Sequence, residues 1–196
     1  MKRLHLCTMA AAVALASAAP AIADEYDYDA LRAAVEKYKD IDVALAEGFV
    51  PDPSGVCVTA EAEGLPAELG GMGIHFLNPA LLQITADRPR VDGQGTHTDF
   101  LAPAIPLYEP QADGSLVLVG IENLVFEAAW RALGNDGPPV MNGRPWDRMA
   151  DHHDTDADEA HGFTPHFDQH VWLFRDNPAG MLVPFNPNVT CEHHSS

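Results

Sequence analysis

Apolar residues recur with a helical period near the start of the chain. Alanines separate the large apolar side chains of the segment 28–47, which are Leu31, Val35, Tyr38 and Leu45. Spacings of three, four and seven residues predict one amphipathic helix. Gly48 is well placed to end it, and prolines at positions 51 and 53 prevent its continuation. We therefore expect one face of this helix to pack on the rest of the domain.

The clearest strand pattern is a hairpin in the middle of the chain. PAIPLYEP (residues 103–110) and SLVLVGIENLVF (residues 115–126) flank a turn that contains Asp113-Gly114, a strong short-turn pair. The second arm is apolar on both faces, which predicts an interior strand. Glu122 is out of place there, because a carboxylate in an interior strand is costly unless it is paired or binds an ion.

A second hairpin is expected near the C-terminus. The turn sequence at residues 177–180, Asn-Pro-Ala-Gly, would fold the segment 171–174 back onto the segment 181–185. Together these patterns predict the α+β class, with an N-terminal amphipathic helix packed on an antiparallel sheet. They leave open whether the sheet curls towards a barrel.

The N-terminus has the pattern of a secretory signal. Lys2 and Arg3 precede a short apolar stretch, and Ala21-Ile22-Ala23 fits the small-residue rule for a cut after Ala23. The stretch is too short for a permanent membrane span. We expect a signal peptide at residues 1–23, a single globular domain at residues 24–196, and a periplasmic or secreted protein.

The charge of the chain restricts its partners. The formal net charge is -18, and loss of the basic N-terminal segment would make it more negative. Such a field repels nucleic acid and anionic lipid and attracts cations. This negative charge can serve solubility alone, or it can attract metal cations to the protein. The sequence predicts no nucleic-acid partner and no membrane span, and it does not indicate protein partners.

Two cysteines remain after the predicted cut, Cys57 and Cys191. In an oxidising compartment two cysteines most simply pair, so we expect a structural disulfide.

The motif HFDQHVWLF, residues 166–174, suggests metal chemistry. His166, Asp168 and His170 stand at two-residue steps and share one face if the segment is a strand. The two histidines would then be about 13 Å apart, too far to bind one ion together, whereas a helical turn would bring them to about 6 Å. The alternative to a metal site is a set of histidines that hydrogen-bond to Asp168 and to the backbone.

The segment 151–161 carries four aspartates, one glutamate and three histidines. It lacks the glycine and the final glutamate of a calcium-binding loop. We favour the interpretation that this segment is a solvated acidic loop. Loose binding of cations is the alternative.

Several motifs together resemble a family of uncharacterised secreted bacterial proteins. They are GGMGIHFLNPALL, LYEP, GSLVLVGIE, HFDQHVWLF and FNPNVTC, in this order along the chain. The resemblance implies export and a single domain but no established activity. The polar residues of the common pattern are His75, Glu109, Glu122, His166, Asp168, His170 and the two cysteines. The tract at residues 151–161 lies outside that pattern.

Three functions remain open at this point. The first is a protein that binds a divalent transition metal, zinc or copper(II), with iron and manganese also compatible, through His75, Glu122, His166 and His170. Asp168 and Glu109 would contact these ligands and orient them without binding the ion themselves. The second is a metal-dependent enzyme in which Glu122 or Asp168 acts as the base. The third is a metal-free binding or structural module.

Overall fold

A computed structural model describes residues 25–194. The predicted signal peptide at residues 1–23 lies outside this range. The helices are α1 (Tyr28–Val35), α2 (Ile41–Ala46) and α3 (Glu127–Ala132), with short 3-10 helices at Glu36–Lys39 and Ala67–Leu69. Within the described range, no helix is both long enough and apolar enough to cross a bilayer.

Eleven strands follow one another along this range. They are β1 (Val50–Pro51), β2 (Cys57–Thr59), β3 (Gly71–Leu77), β4 (Ile84–Ala86), β5 (Asp92–Gly93), β6 (Ile105–Pro110), β7 (Leu116–Phe126), β8 (Val140–Met141), β9 (Arg144–Pro145), β10 (Asp147–Met149) and β11 (His166–Val171).

Seven strands form the main sheet, in the order β1-β3-β6-β7-β11-β10, with β2 also paired to β3. Every strand pair in it is antiparallel. The α+β prediction is confirmed, and the order has two free ends, so the described residues do not form a closed barrel. The hairpin of β6 and β7 and the interior position of β7 are also as predicted.

The N-terminal helix is broken rather than continuous. Asp27 caps α1, accepting hydrogen bonds from the backbone amides of Asp29 and Ala30 at 2.8 and 3.1 Å. Asp40 adopts an extended conformation and caps α2, so the helix restarts there with a new phase. As a result Ala44 is buried while Leu45, expected on the apolar face, is 45% exposed. Gly48 ends the segment at a φ of 90°, as predicted.

The second predicted hairpin is wrong as a pair of strands. The turn is present, since the Gly180 amide donates to the Asn177 carbonyl at 3.0 Å. However, β11 ends at Val171 and pairs with β7 and β10 instead. Only one backbone bond, from Trp172 to Met181 at 3.0 Å, joins the two arms. The six-residue pairing of β11 with β7 therefore takes the place of the predicted strand pair.

The sheet separates two apolar layers. On one face Leu31, Val35 and Tyr38 of the helical segment pack with Phe167 and Val171 of β11. On the other face lie Leu107, Leu124, Phe126 and Trp172. Because side chains alternate along a strand, His166, Asp168 and His170 point away from the helical segment and into this second layer. All three are fully buried.

Tyr108 joins the sheet to the helical segment through its hydroxyl, which donates to the Tyr38 carbonyl at 2.7 Å in a buried setting. We expect Tyr108→Phe to lower the free energy of unfolding by about 1 to 2 kcal/mol, because it leaves a buried carbonyl without its donor. Urea denaturation measures this. Tyr28→Phe is the control, since the Tyr28 hydroxyl makes no hydrogen bond within residues 25–194; equal losses in the two variants would contradict the assignment.

Candidate metal centre

Three strands bring the first group of ligand atoms together. His170 of β11 stands directly opposite Glu122 of β7 in the strand register. His75 lies on β3, with β6 between it and β7. The three residues each offer one ligand atom, and these atoms all lie within 4.8 Å of one another. We call this group the first trio.

The distances within the first trio suit a metal ion. Oε2 of Glu122 lies 3.0 Å from Nε2 of His75 and 3.4 Å from Nε2 of His170. Ligands about 2.0 to 2.1 Å from a tetrahedral ion are separated from one another by about 3.3 Å. Both ring nitrogens therefore approach one carboxylate oxygen at the spacing that a shared ion requires.

A second trio lies beside the first. It consists of His161, His166 and Asp168, whose ligand atoms are again within 4.8 Å of one another. Nε2 of His166 lies 3.7 Å from Oδ2 of Asp168. His161 comes from the acidic loop, at the end of the segment 151–161, and its φ of 35° is unusual for a residue other than glycine.

The two trios touch through their imidazole rings. The rings of His75 and His161 are stacked, with centroids 5.5 Å apart and planes 24° from parallel. His75 and His170 are nearly perpendicular at 6.1 Å, and so are His161 and His166 at 5.4 Å. The six residues thus form one continuous cluster.

The cluster is buried but poorly hydrogen-bonded. All six residues are buried, with His161 the most exposed at 7%. Neither carboxylate oxygen of Glu122 or Asp168 has a hydrogen-bond partner in the described range, and neither ring nitrogen of His75, His161 or His170 has one. Buried polar atoms are almost always satisfied, because each one left alone costs about 1 to 3 kcal/mol. The cluster therefore contains groups that could hold a metal ion.

Burial sets the charge of the first trio in the absence of an ion. It raises the pKa of Glu122 to about 7, against the opposing effect of His170. It lowers the pKa of His75 to about 3, with a further contribution from the charge of His161. It also lowers the pKa of His170. The two imidazoles are therefore neutral at neutral pH, which is the form that binds metal ions.

The second trio has a different electrostatic balance. Burial acts to lower the pKa of His161, but the carboxylate of Glu63 outweighs it and raises this pKa to about 9. Burial acts to raise the pKa of Asp168, but His166 and the other nearby imidazoles keep it below its usual value. Asp168 and His161 thus stabilise each other's charges when no ion is present.

The structure divides the residues that were expected to form one site. His75, Glu122 and His170 converge, but His166 belongs to the second trio, which agrees with the expectation that two histidines of a straight strand cannot bind one ion together. Asp168 offers a ligand atom itself rather than only supporting one.

Glu109 contacts other groups. Its carboxylate accepts a hydrogen bond from the Thr190 amide at 2.9 Å and one from Gln111 at 3.2 Å, and it forms an ion pair with Arg175. These contacts tie the C-terminal segment to β6 and give Glu109 a structural role.

Sequence reasoning missed two members of the neighbourhood, His161 and Glu63. Oε1 of Glu63 lies 3.3 Å from Nδ1 of His161, and both side chains are 4% exposed. His161 was missed because it lies among the charged residues of the acidic loop. Glu63 was missed because it lies in a connection rich in proline and glycine. The only available signal was that His161 is followed by Gly162-Phe163, where the polar tract ends.

Comparison with protein-family models, with curated proteins and with solved structures gave no match. The resemblance to a family of secreted bacterial proteins therefore stays a prediction.

Proposed function

We propose that this chain binds a divalent transition metal ion between His75, Glu122 and His170. The observation that carries the proposal is the approach of two neutral, buried imidazole nitrogens to one buried carboxylate oxygen, with none of the three hydrogen-bonded. An ion at their centre would satisfy all three at once. It would also offset the cost of burying Glu122.

Two imidazoles and one carboxylate suit zinc and are also the ligand set of non-haem iron sites. Copper(II) and manganese remain compatible with these donors. Three protein ligands leave positions for water or for other ligands, so the same centre would serve an enzyme as well as a carrier. We place the metal-binding protein first because the described residues include the groups that would bind an ion.

We further propose that the protein works outside the cytoplasm. The disulfide between Cys57 and Cys191 supports this, because such bonds persist mainly in oxidising compartments. The expected signal peptide and the family resemblance are consistent with it.

Removal of one ligand of the first trio tests the proposal. His170→Ala is expected to weaken zinc binding at this position more than about 100-fold, since even residues that only support a ligand contribute 10- to 100-fold. The measurement is competition with a coloured chelator, using protein without a polyhistidine tag. His153→Ala is the matched control, because His153 is exposed in the acidic loop. A folded His170→Ala protein that binds zinc as tightly as the wild type would refute the proposal.

A further inference from the structure

We infer that the second trio, His161, His166 and Asp168, binds a second divalent cation beside the first, so that the protein contains a two-metal centre. Binding at the second trio does not require an ion in the first, because the two trios share no residue, whereas the two-metal centre also rests on the proposed function. Each trio has two imidazoles and one carboxylate, which is a complete set of protein ligands for zinc, iron or manganese.

His166 is oriented for this role by the backbone. Its Nδ1 lies 2.9 Å from the Thr164 carbonyl, which can only accept, so Nδ1 carries the proton and donates. Nε2 is then the nitrogen that could bind an ion, and it lies 3.7 Å from Oδ2 of Asp168 without a hydrogen-bond partner. Metal-binding histidines are typically fixed in this way, by a hydrogen bond from the nitrogen that does not bind the ion.

His161 is oriented by a carboxylate instead. Its Nδ1 faces Oε1 of Glu63 at 3.3 Å, so an ion would bind at Nε2 and displace the proton that the charged ring carries there. A carboxylate behind a histidine strengthens it as a ligand and fixes its ring. Nδ1 of each imidazole in the second trio therefore faces an oxygen, at 2.9 Å in His166 and at 3.3 Å in His161.

The acidic loop is held in the conformation that delivers His161. Arg90 forms ion pairs with Asp151 and Asp158, one near each end of the loop. The Val91 amide donates to the Gly162 carbonyl at 2.8 Å, directly after His161. His161 combines a positive φ with a buried ring, and strained backbone of this kind is concentrated at functional sites. The acidic residues of the loop thus position a buried ligand.

The ring geometry favours two ions over one shared ion. An imidazole binds a metal in the plane of its ring. The planes of the stacked His75 and His161 rings are nearly parallel, so their lone pairs do not converge on one ion. Within each trio the two rings are nearly perpendicular and can meet at one point. Asp168 lies between His166 and His170 on β11, where its negative charge would stabilise ions in both positions.

A small cavity reaches the second trio from the side of the acidic loop. Its volume is about 70 Å³, and its polar lining residues are Ser54, Glu63, Asp158 and His161. Apolar side chains of Val56, Val58 and Ala62 complete its wall, and His161 is the residue of the second trio that lines it. The cavity therefore brings open space to one proposed ligand.

Zinc content per chain is the test. Untagged protein is saturated with zinc, dialysed, and analysed by elemental analysis after the folded fraction has been isolated. We expect two zinc ions per chain for the wild type and for His153→Ala, one for His166→Ala, one for His170→Ala, and none for the double variant. If His166→Ala does not fold, Asp168→Asn, which keeps the shape of the side chain, replaces it and is expected to retain one ion.

The alternatives give different numbers. A wild type with one ion that both His166→Ala and His170→Ala abolish would overturn the inference in favour of a single shared ion. The inference would also be overturned if the His166→Ala variant contained as much zinc as the wild type. Failure of the proposed function looks different, since His170→Ala would then leave the zinc content unchanged.

Discussion

Glu122→Gln is expected to change metal binding and stability in opposite directions. Zinc affinity should fall more than about 100-fold, because the carboxylate that both imidazoles approach becomes a neutral amide. The metal-free protein, in contrast, should become more stable by roughly 1 to 3 kcal/mol, because a buried carboxylate without a hydrogen-bond partner is removed from the core. Zinc titration and urea denaturation of the chelator-treated protein measure the two effects.

Glu109→Gln is the matched control for this experiment. Glu109 is also a buried glutamate, but its carboxylate is used by Arg175 and by the Thr190 amide. The same substitution should therefore lower stability by roughly 1 to 3 kcal/mol and leave zinc affinity unchanged. If both variants destabilised the metal-free protein equally, Glu122 would be an ordinary structural residue and the metal account would lose its main support.

Replacing both cysteines with serine is expected to lower the free energy of unfolding by about 4 to 5 kcal/mol. The bridge from Cys57 to Cys191 spans 134 residues, and closing such a long loop removes much entropy from the unfolded chain. It also holds the C-terminal segment beside β2. Guanidinium denaturation under oxidising conditions gives the difference.

A reducing agent provides the internal control for the disulfide. It should destabilise the wild type by a similar amount and leave the double serine variant unchanged. A wild type whose unfolding is insensitive to reduction would contradict the stabilising role of the bridge.

Local patterns predicted the parts of the fold that depend on neighbouring residues. The Asp113-Gly114 turn and the continuous apolar run of β7 were enough to indicate a hairpin with an interior strand, and the structure contains both. The break at Asp40 was missed because the helical period continues through it, while a capping hydrogen bond from the Asp42 amide decides the local conformation. The second hairpin failed because β11 pairs with a strand about 45 residues earlier.

The candidate site shows the same division between local and distant information. Two-residue spacing placed His166, Asp168 and His170 on one face of a strand, and Glu122 was marked by its apolar surroundings. The spacing could not show that His166 and His170 belong to different trios, because that depends on which distant residue approaches each of them. His161 and Glu63 are brought in by loops, and loops carry no periodic signal.

The most direct test of the metal account is a crystal structure of untagged protein, grown without added metal, with anomalous diffraction data collected on both sides of the zinc absorption edge. The account predicts an anomalous peak about 2.0 to 2.2 Å from Nε2 of His75, Nε2 of His170 and the Glu122 carboxylate. If no transition metal scatters there at its own edge, and ordered water hydrogen-bonds these three side chains instead, the central claim is contradicted.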